Sequence, residues 1–304
     1  MRNGHTFPSD TVDVAIARWQ LLDMLDPRIA PRSIRVRAPH FALDDVTRGW
    51  LATDPLASDL VDALSLVFPA GERFFIRSVL AFADRYESDP ELRARVRGFV
   101  GQEGRHGHEH DRMNKSIASR GHDVKRYLRT YEWLMYGVVE RATPKPWRLA
   151  STAALEHMTA TLAEVALTTR VLESAHPELA RMLRWHAAEE IEHRSVAFDV
   201  LQKVDPRMRT RVIGLGIGLA TLGMAWTTAF ATLRFEDRHA SWRAVDARKS
   251  ARFWKAADRS VPYVVKSLRR YLARDFHPDV VTNPEAERVF NELVDQLNGA
   301  PLPA

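Results

Sequence analysis

The 304-residue sequence contains no cysteine. Disulfides, iron–sulfur clusters, thiolate zinc sites and cysteine nucleophiles are therefore excluded. Glycine and proline are also scarce, with 14 and 16 residues, which excludes a collagen-like or low-complexity chain. A metal site in this protein must use histidine, aspartate or glutamate, and this donor set suits iron, manganese or zinc.

Signatures of several common protein classes are missing as well. There is no Gly-x-Ser-x-Gly elbow, no glycine-rich phosphate loop and no dinucleotide fingerprint. The net charge of +5 comes from dispersed basic residues, so nucleic-acid binding is not expected. The first ten residues, MRNGHTFPSD, have no apolar stretch after a basic start. We therefore expect a cytoplasmic protein without a secretory signal.

Helical spacing dominates the chain after its first part. Residues 1–55 are polar and contain five prolines, which predicts an irregular arm with one short helix at 12–25. The sequence Asp89-Pro90 is typical of a helix start, with aspartate as N-cap and proline at the first helical position. The long helices that we expect after the arm cover residues 60–86, 89–120, 150–174 and 177–204. We expect an interruption of the first helix near Pro69 and a linker at 137–147.

Residues 212–233 form a long uncharged run between flanking arginines. The run is long enough to span a bilayer, but a buried helix that packs on the bundle has the same composition. The segment therefore leaves two alternatives open, a membrane surface or a protein contact such as a homodimer. We expect short amphipathic helices over 234–304. The expected domains are the arm at 1–55, a metal-binding bundle at 56–205 and a helical extension at 206–304.

The motif with the clearest chemistry is Glu-x-x-His, which occurs twice. Glu103 and His106 form the first copy, and Glu190 and His193 form the second. Residues three positions apart on a helix share one face, so each pair presents a carboxylate and an imidazole together. A single copy is common by chance on a solvent-exposed helix face, whereas two copies in similar surroundings predict a metal site.

Each pair follows an acid on the preceding predicted helix. Glu72 precedes Glu103 and Glu156 precedes Glu190, at similar separations along the sequence. Two helices that each give one glutamate and two that each give Glu-x-x-His form the ligand plan of di-iron and di-manganese carboxylate bundles. Glu164 is an alternative to Glu156 only if the site shifts two turns. Glu189 lies about 100° from Glu190 around the helix, which favours Glu190 as the ligand.

Two further histidines share these helix faces. His186 stands four residues before Glu190, and His110 stands four residues after His106. Each is expected to be either an additional ligand or a partner that orients one. His108 and His157 are offset from these faces, so we expect structural or solvent-exposed roles for them.

Several segments with these motifs resemble a bacterial family described as predicted metal-dependent hydrolases. They are FPAGERFF at 68–75, QEGRHGHEHDRMN at 102–114, LEHMTA at 155–160, WHAAEEIEHRSVAFDV at 185–200 and DFHP at 275–278. The resemblance implies a metal site, and the family's description implies hydrolysis.

The order of the ligands is also similar to that of the di-iron arylamine N-oxygenases, which are ferritin-like bundles. In those enzymes a third histidine stands four residues before the last Glu-x-x-His, and His186 occupies that position here. This resemblance implies oxygen activation and a ligand role for His186. It does not imply an arylamine substrate.

We therefore expect an all-α, ferritin-like four-helix bundle with a dinuclear metal site, followed by a long apolar helix and C-terminal helices. The expected ligands are Glu72, Glu103, His106, Glu156, His186, Glu190 and His193, with His110 as a further ligand or partner. The first hypothesis is a di-iron enzyme that uses O₂, an electron donor and an unidentified small molecule, which is lipophilic if the apolar helix meets a membrane. The second is a hydrolase in which manganese or zinc activates water. The third is iron binding and oxidation without an organic substrate.

Overall fold

A computed structural model describes residues 34–236, 245–280 and 283–299. Across these residues the chain is helical, and its only β-type pairing is an isolated bridge between Leu51 and Ala175. The all-α fold class is confirmed. The short helix that the sequence predicts at 12–25 lies outside the described residues.

The described helices are numbered here in chain order. They are α1 Pro55–Leu80, α2 Pro90–Ser119, α3 Lys125–Glu132, α4 Glu140–Ala142, α5 Lys145–Thr168, α6 Pro177–His193, α7 Val196–Val204, α8 Met208–Glu236, α9 Ala247–Tyr271 and α10 Pro284–Gly299. A π-helical turn, Trp133–Val139, joins α3 to α4.

Helices α1 and α2 each begin at an aspartate that caps the helix N-terminus. The Asp54 carboxylate accepts hydrogen bonds from the backbone N–H groups of Leu56 and Ala57. The Asp89 carboxylate accepts one from Leu92, which confirms the helix start expected at Asp89. These carboxylates accept hydrogen bonds from N–H groups that have no partner inside the helix, and their negative charge interacts favourably with the positive end of the helix dipole.

Four helical walls close around the centre of the molecule. Helix α1 packs on α2 and α5, while α6 and the following α7 pack on both α2 and α5. The apolar core lies in two main clusters, one that includes Phe99 and Leu149 and one that includes Phe41 and Trp185. This arrangement is a four-helix bundle, and α8, α9 and α10 cover its α5 side.

The first helix is not interrupted at Pro69, contrary to the sequence-based expectation. Helix α1 continues through this proline. The hydroxyl of Tyr131 donates to the carbonyl of Val67, and the hydroxyl of Tyr136 donates to the carbonyl of Ala70. A proline removes only one helical hydrogen bond, and these contacts from α3 and the π-helical turn hold the backbone around it.

Other boundaries differ in the connections. Most of the linker expected at 137–147 is helical, because the π-helical turn and α4 continue α3 across it. The fourth predicted helix is two helices, α6 and α7, since the chain turns at Arg194 and Ser195. Helix α9 has 25 residues, so the C-terminal helices are not all short. Local sequence does not determine these boundaries because the packed neighbours stabilise each turn.

The described part of the N-terminal arm lacks helix but is built into the core. Phe41 and Leu51 are completely buried. The backbone N–H of His176 donates to the carbonyl of Trp50, and that of Ala52 donates to the carbonyl of Ser174. The segment 34–54 is therefore fixed against the turn between α5 and α6, and it brings side chains close to the centre of the bundle.

Helix α8 contains the apolar segment expected at 212–233. On its inner face, a Cβ added to Gly214 would lie 2.4 Å from the Cβ of Ala150, so glycine permits the close approach of α8 to α5. Val212 and Met224 lie on its exposed outer face. Its length and composition would allow it to cross a membrane, although helices that pack on soluble domains meet the same criteria.

Candidate metal centre

The bundle brings all of the expected ligands into its interior. Glu72 comes from α1, Glu103 and His106 come from α2, and Glu156 comes from α5. Helix α6 supplies the remaining three, which are His186, Glu190 and His193. Each of these side chains is buried, with at most 5% of its surface exposed.

Their donor atoms form two compact groups, in each of which the atoms lie within 4.8 Å of one another. The first group is Glu103, His106, Glu190 and His193, and the second is Glu72, His110 and His186. Glu156 stands outside both groups, but its Oε2 lies 3.0 Å from Nδ1 of His193. One glutamate on each of two helices and Glu-x-x-His on two others is a ferritin-like arrangement.

Many polar atoms in this cluster lack a hydrogen-bond partner, although Nε2 of His193 lies 3.4 Å from Oε1 of Glu103. Within the described part of the chain, seven of its buried nitrogen and oxygen atoms accept or donate no hydrogen bond. They are both carboxylate oxygens of Glu72, both of Glu103, Oε1 of Glu156, Nδ1 of His106 and Nε2 of His193. A buried polar atom without a partner costs about 1–3 kcal/mol. The donor set therefore fits divalent cations, which would satisfy these atoms together.

The electrostatics of the carboxylates also favour a bound positive charge. Burial raises the pKa of Glu72 well above its ordinary value, and the charge of Glu190 raises it further. Burial and the charge of Glu156 do the same for Glu103. Burial raises the pKa of Glu156 itself to about 7, although His193 opposes this shift. Bound cations would favour the ionised form of all three carboxylates.

Opposite charges stabilise the pair on α6. Burial lowers the pKa of His193, but the charges of Glu156 and Glu190 outweigh it and raise the value to about 9. Burial likewise opposes ionisation of Glu190, yet the charge of His193 and hydrogen bonds from His186 and Thr159 lower its pKa. Without a bound metal, the protonated imidazole of His193 thus supplies part of the positive charge that a cation would bring.

Glu189 has a role in this cluster that the sequence did not reveal. It is completely buried, and its Oε2 lies 3.0 Å from Nε2 of His106. Arg37 donates to its other oxygen at 3.1 Å. This contact leaves Nδ1 of His106 directed at Glu190, whose Oε1 is 3.6 Å away. A carboxylate behind a histidine fixes the ring and raises its basicity as a ligand.

His110 and His186 are linked to each other. Nε2 of His110 lies 2.8 Å from Nδ1 of His186, and Nε2 of His186 lies 2.8 Å from Oε1 of Glu190. On its other side, Nδ1 of His110 lies 3.0 Å from Oγ of Ser65. The Phe68 ring packs against both imidazoles. The second donor group therefore has defined ring orientations and is shielded from water on one side.

The other acids and histidines considered as alternatives lie elsewhere. Glu164 accepts a hydrogen bond from Tyr263 and forms an ion pair with Arg194, so it has partners outside the cluster. His157 is buried, and its Nε2 lies 3.1 Å from a backbone carbonyl oxygen of α9. His108 is exposed. None of these three belongs to the two donor groups found within the described residues.

Gly107 makes room for the Glu72 carboxylate. A Cβ at position 107 would lie 2.9 Å from Oε2 of Glu72. We expect Gly107→Ala to displace this flexible carboxylate and lower metal affinity at least about 10-fold, as observed when the surroundings of metal ligands change. The metal-free protein should keep its stability or gain up to about 1 kcal/mol, because alanine favours a helix interior over glycine.

Calorimetric titration with Mn²⁺ measures the metal affinity, and urea unfolding of the chelated protein measures the stability. Gly216→Ala is the matched control, since a Cβ there meets no atom of the described residues within 4 Å. Equal metal affinity in the two variants would show that Glu72 does not contribute to metal binding.

A cavity of about 60 Å³ adjoins the metal centre between α1, the π-helical turn, α5 and α8. Its lining is almost wholly apolar and includes Phe75, Leu155 and Leu222. Glu72 and Thr159 also line it, and these two residues connect it to the donor groups. A larger and more open depression, lined by residues within 169–184, includes none of the candidate ligands.

Comparisons with known proteins place this chain in a family. A solved R2-like ligand-binding oxidase with an aerobically reconstituted Mn/Fe cofactor aligns with 90% of this chain and 98% of its own, at 14% identity and a TM-score of 0.48. A similarity of this size does not bear on the reaction. A search of curated proteins finds no match. The model of a family described as predicted metal-dependent hydrolases matches residues 35–282. Since this match spans most of the chain, the protein belongs to that family.

Proposed function

We propose that this protein is a dinuclear iron enzyme that uses O₂ to oxidise an apolar small molecule. The observation that carries the proposal is the pair of adjacent buried donor groups, made only of carboxylates and imidazoles. Four carboxylates can balance the charge of two divalent ions, and the imidazoles complete the coordination while leaving positions open. The proposed ligands are Glu72, Glu103, His106, Glu156, His186, Glu190 and His193, with His110 as an eighth donor.

The residues around the ligands would hold them in place and exclude water. Trp185 packs edge-on against His106, and Phe99 packs edge-on against His193. Thr159 donates a hydrogen bond to Oε2 of Glu190, which leaves Oε1 on the side of the imidazoles. Fixed ligands in a dry site are the contribution that a protein makes to metal-dependent chemistry.

Iron bound at this centre would supply electrons to O₂ and thereby oxidise a substrate. If the reaction is a monooxygenation, one oxygen atom enters a C–H bond and the other leaves as water. This balance requires two electrons and two protons from an external donor, for which a ferredoxin or a flavin reductase would be suitable. An oxidase reaction would instead take its electrons from the substrate.

The family description favours a second candidate, a metal-dependent hydrolase. Zinc or manganese at the same residues would lower the pKa of a bound water and create a nucleophile. A hydrolase must also hold a polar scissile group near the metal. The adjoining cavity offers little for this purpose, because its lining is almost wholly apolar. We therefore favour oxidation.

The proposal predicts that the protein binds about two ferrous ions per chain, as expected for a dinuclear carboxylate site, and that the reduced protein consumes O₂. Protein purified without added or stripped metal is analysed by elemental analysis, and the chelated protein is then reloaded anaerobically with Fe²⁺. Oxygen uptake is followed with an electrode after exposure to air-saturated buffer. Rapid uptake that Zn²⁺-loaded protein does not show would support the proposal.

Two results would contradict it. Zinc in the purified protein, with ester or amide hydrolysis and no O₂ uptake, would establish the hydrolase. Failure to bind metal even under anaerobic conditions would refute a metal-dependent function of either kind.

A further inference from the structure

We infer that the cavity beside the metal centre is the substrate chamber and that it takes an uncharged, unbranched hydrocarbon chain. The inference rests on the proposed function, because it assigns the substrate class of that centre. Its basis is the position of the cavity, the engagement of its polar groups and its narrow volume.

The polar groups that line the cavity are mostly occupied by the protein itself. Tyr131 donates to the carbonyl of Val67, and Thr221 donates to the carbonyl of Ile217. Thr143 donates to another backbone carbonyl within its own helical segment. A polar substrate would lose its hydration here without gaining equivalent hydrogen bonds, which is costly. A hydrocarbon chain loses nothing on entering and leaves water, which is favourable.

The chamber meets the metal centre at one end. Glu72 contributes to both the cavity lining and the second donor group. Thr159 also lines the cavity, but its hydroxyl is engaged with Glu190 of the first group. A chain in the chamber would therefore place a carbon atom beside the donors of both groups. Both carboxylate oxygens of Glu72 lack a hydrogen-bond partner among the described residues. A bound metal would coordinate this carboxylate, so the substrate would not have to supply a polar partner for it.

The small volume of the chamber favours a narrow chain over a larger ring system. A volume of about 60 Å³ is a few times the roughly 10–15 Å³ that one enclosed water requires on the same measure, which suits a narrow chain of a few methylenes. The π-helical turn forms one wall through Met135 and Val139, while its Trp133 is 56% exposed at the surface. Inserted π-turns are frequent at functional sites. Gly71 forms part of the opposite wall, and a Cβ there meets no described atom within 4 Å.

The test uses 1-alkanols from butanol to octanol as probes and methionine methyl groups as reporters. The protein carries ¹³C-methyl methionine, and each alkanol is titrated into the metal-free and the Zn²⁺-loaded form. The Met135 methyl signal should shift saturably, with an affinity that rises about fourfold per added methylene until the chamber is full. Met224 lies on the exposed face of α8 and should show only a linear shift. The branched 3,3-dimethyl-1-butanol should bind at least about tenfold more weakly than 1-hexanol, because overpacking is costly.

A matched pair of variants locates the binding. Gly71→Leu should fill the chamber and abolish the saturable shift, whereas Gly216→Leu, which also projects into open space, should bind like the parent protein. If Gly71→Leu does not fold, Ile217→Phe narrows the same chamber from α8. A saturable shift that these chamber variants leave unchanged, or parallel shifts at Met135 and Met224, would overturn the inference.

These readouts require neither iron nor turnover, so their outcome is separate from that of the proposed function. Alkanol binding without O₂ uptake would retain the chamber and refute the oxidase. O₂ uptake without alkanol binding would retain the oxidase and refute the hydrocarbon substrate.

Discussion

Glu103→Gln is expected to abolish metal binding in the first donor group and to stabilise the metal-free protein at the same time. Glu103 is buried, and neither of its carboxylate oxygens has a hydrogen-bond partner within the described residues. Burial and neighbouring charges raise its pKa. Glutamine keeps the shape and cannot ionise, so we expect about 1–3 kcal/mol of additional stability at pH 8.

The two effects are measured on the same samples. Metal content after loading with Mn²⁺ should fall from about two ions per chain to one or fewer, as loss of a ligand in the first donor group predicts for a dinuclear site. Urea unfolding of the chelated protein gives the change in the free energy of unfolding. His193→Ala should also lose metal but should not gain stability, since it creates a cavity and leaves Glu156 without its partner.

Glu91→Gln is the control on the same helix, because Glu91 is exposed in the first turn of α2. Its unfolding free energy should change by less than about 0.5 kcal/mol, as is usual at the surface, and its metal content should be unaffected. Full metal content in Glu103→Gln and His193→Ala would refute the ligand assignment.

The stability of the metal-free protein is expected to fall as the pH rises from about 7 to about 9. Burial raises the pKa of Glu189 to about 8 and places those of Glu72 and Glu103 well above the usual 4.5. The charges of neighbouring carboxylates raise the pKa of His193 to about 9, against the effect of burial.

In this pH range the folded state holds protons that the unfolded chain has released. The stability from each such proton is complete below the ordinary pKa of the group and is lost as the pH rises through its raised value. Each retained proton contributes a fall of about 1.4 kcal/mol per pH unit. Burial lowers the pKa of His106 and of His110, but these groups are neutral in both states above their usual 6.5. They therefore do not offset the fall.

Bound metal should reverse this behaviour. Metal replaces the protons on the ligands, so its affinity rises with pH. At a free metal concentration 100 times the dissociation constant, binding adds about 2.7 kcal/mol. Urea midpoints at pH 7, 8 and 9, with chelator and with Mn²⁺, measure both slopes. A metal-free protein that becomes more stable between pH 7 and 9 would show that other contacts stabilise the ionised form of these carboxylates.

Some features of the centre were predictable because they depend only on positions along one helix. Glu-x-x-His places two donors on one face whatever the helix packs against, and the structure brings both copies together in the first donor group. The start of α2 at Asp89 was likewise predictable, since an N-cap acts within one turn. The long apolar segment follows from composition alone, and it forms helix α8.

Other boundaries depended on contacts between distant parts of the chain. The continuity of α1 at Pro69 and the helical structure in the expected linker arise from the packing of α3 and the π-helical turn on α1, where Tyr131 and Tyr136 bond its carbonyls. A local sequence pattern does not predict a hydrogen bond from a hydroxyl in a helical segment that lies far along the sequence.

The partners of the ligands also belong to the tertiary structure. Glu189 lies on a different side of α6 from Glu190 and is not part of the first donor group. Its burial against His106 and Arg37 results from the packing of α6 beside α2 and the segment 34–54, which periodicity does not describe. Sequence alone thus determined which residue types could bind metal and on which helix faces. Only the packed bundle decided which of them meet, which are held by a second residue and where an apolar chamber remains, because these depend on long-range contacts and on the volume left between helices.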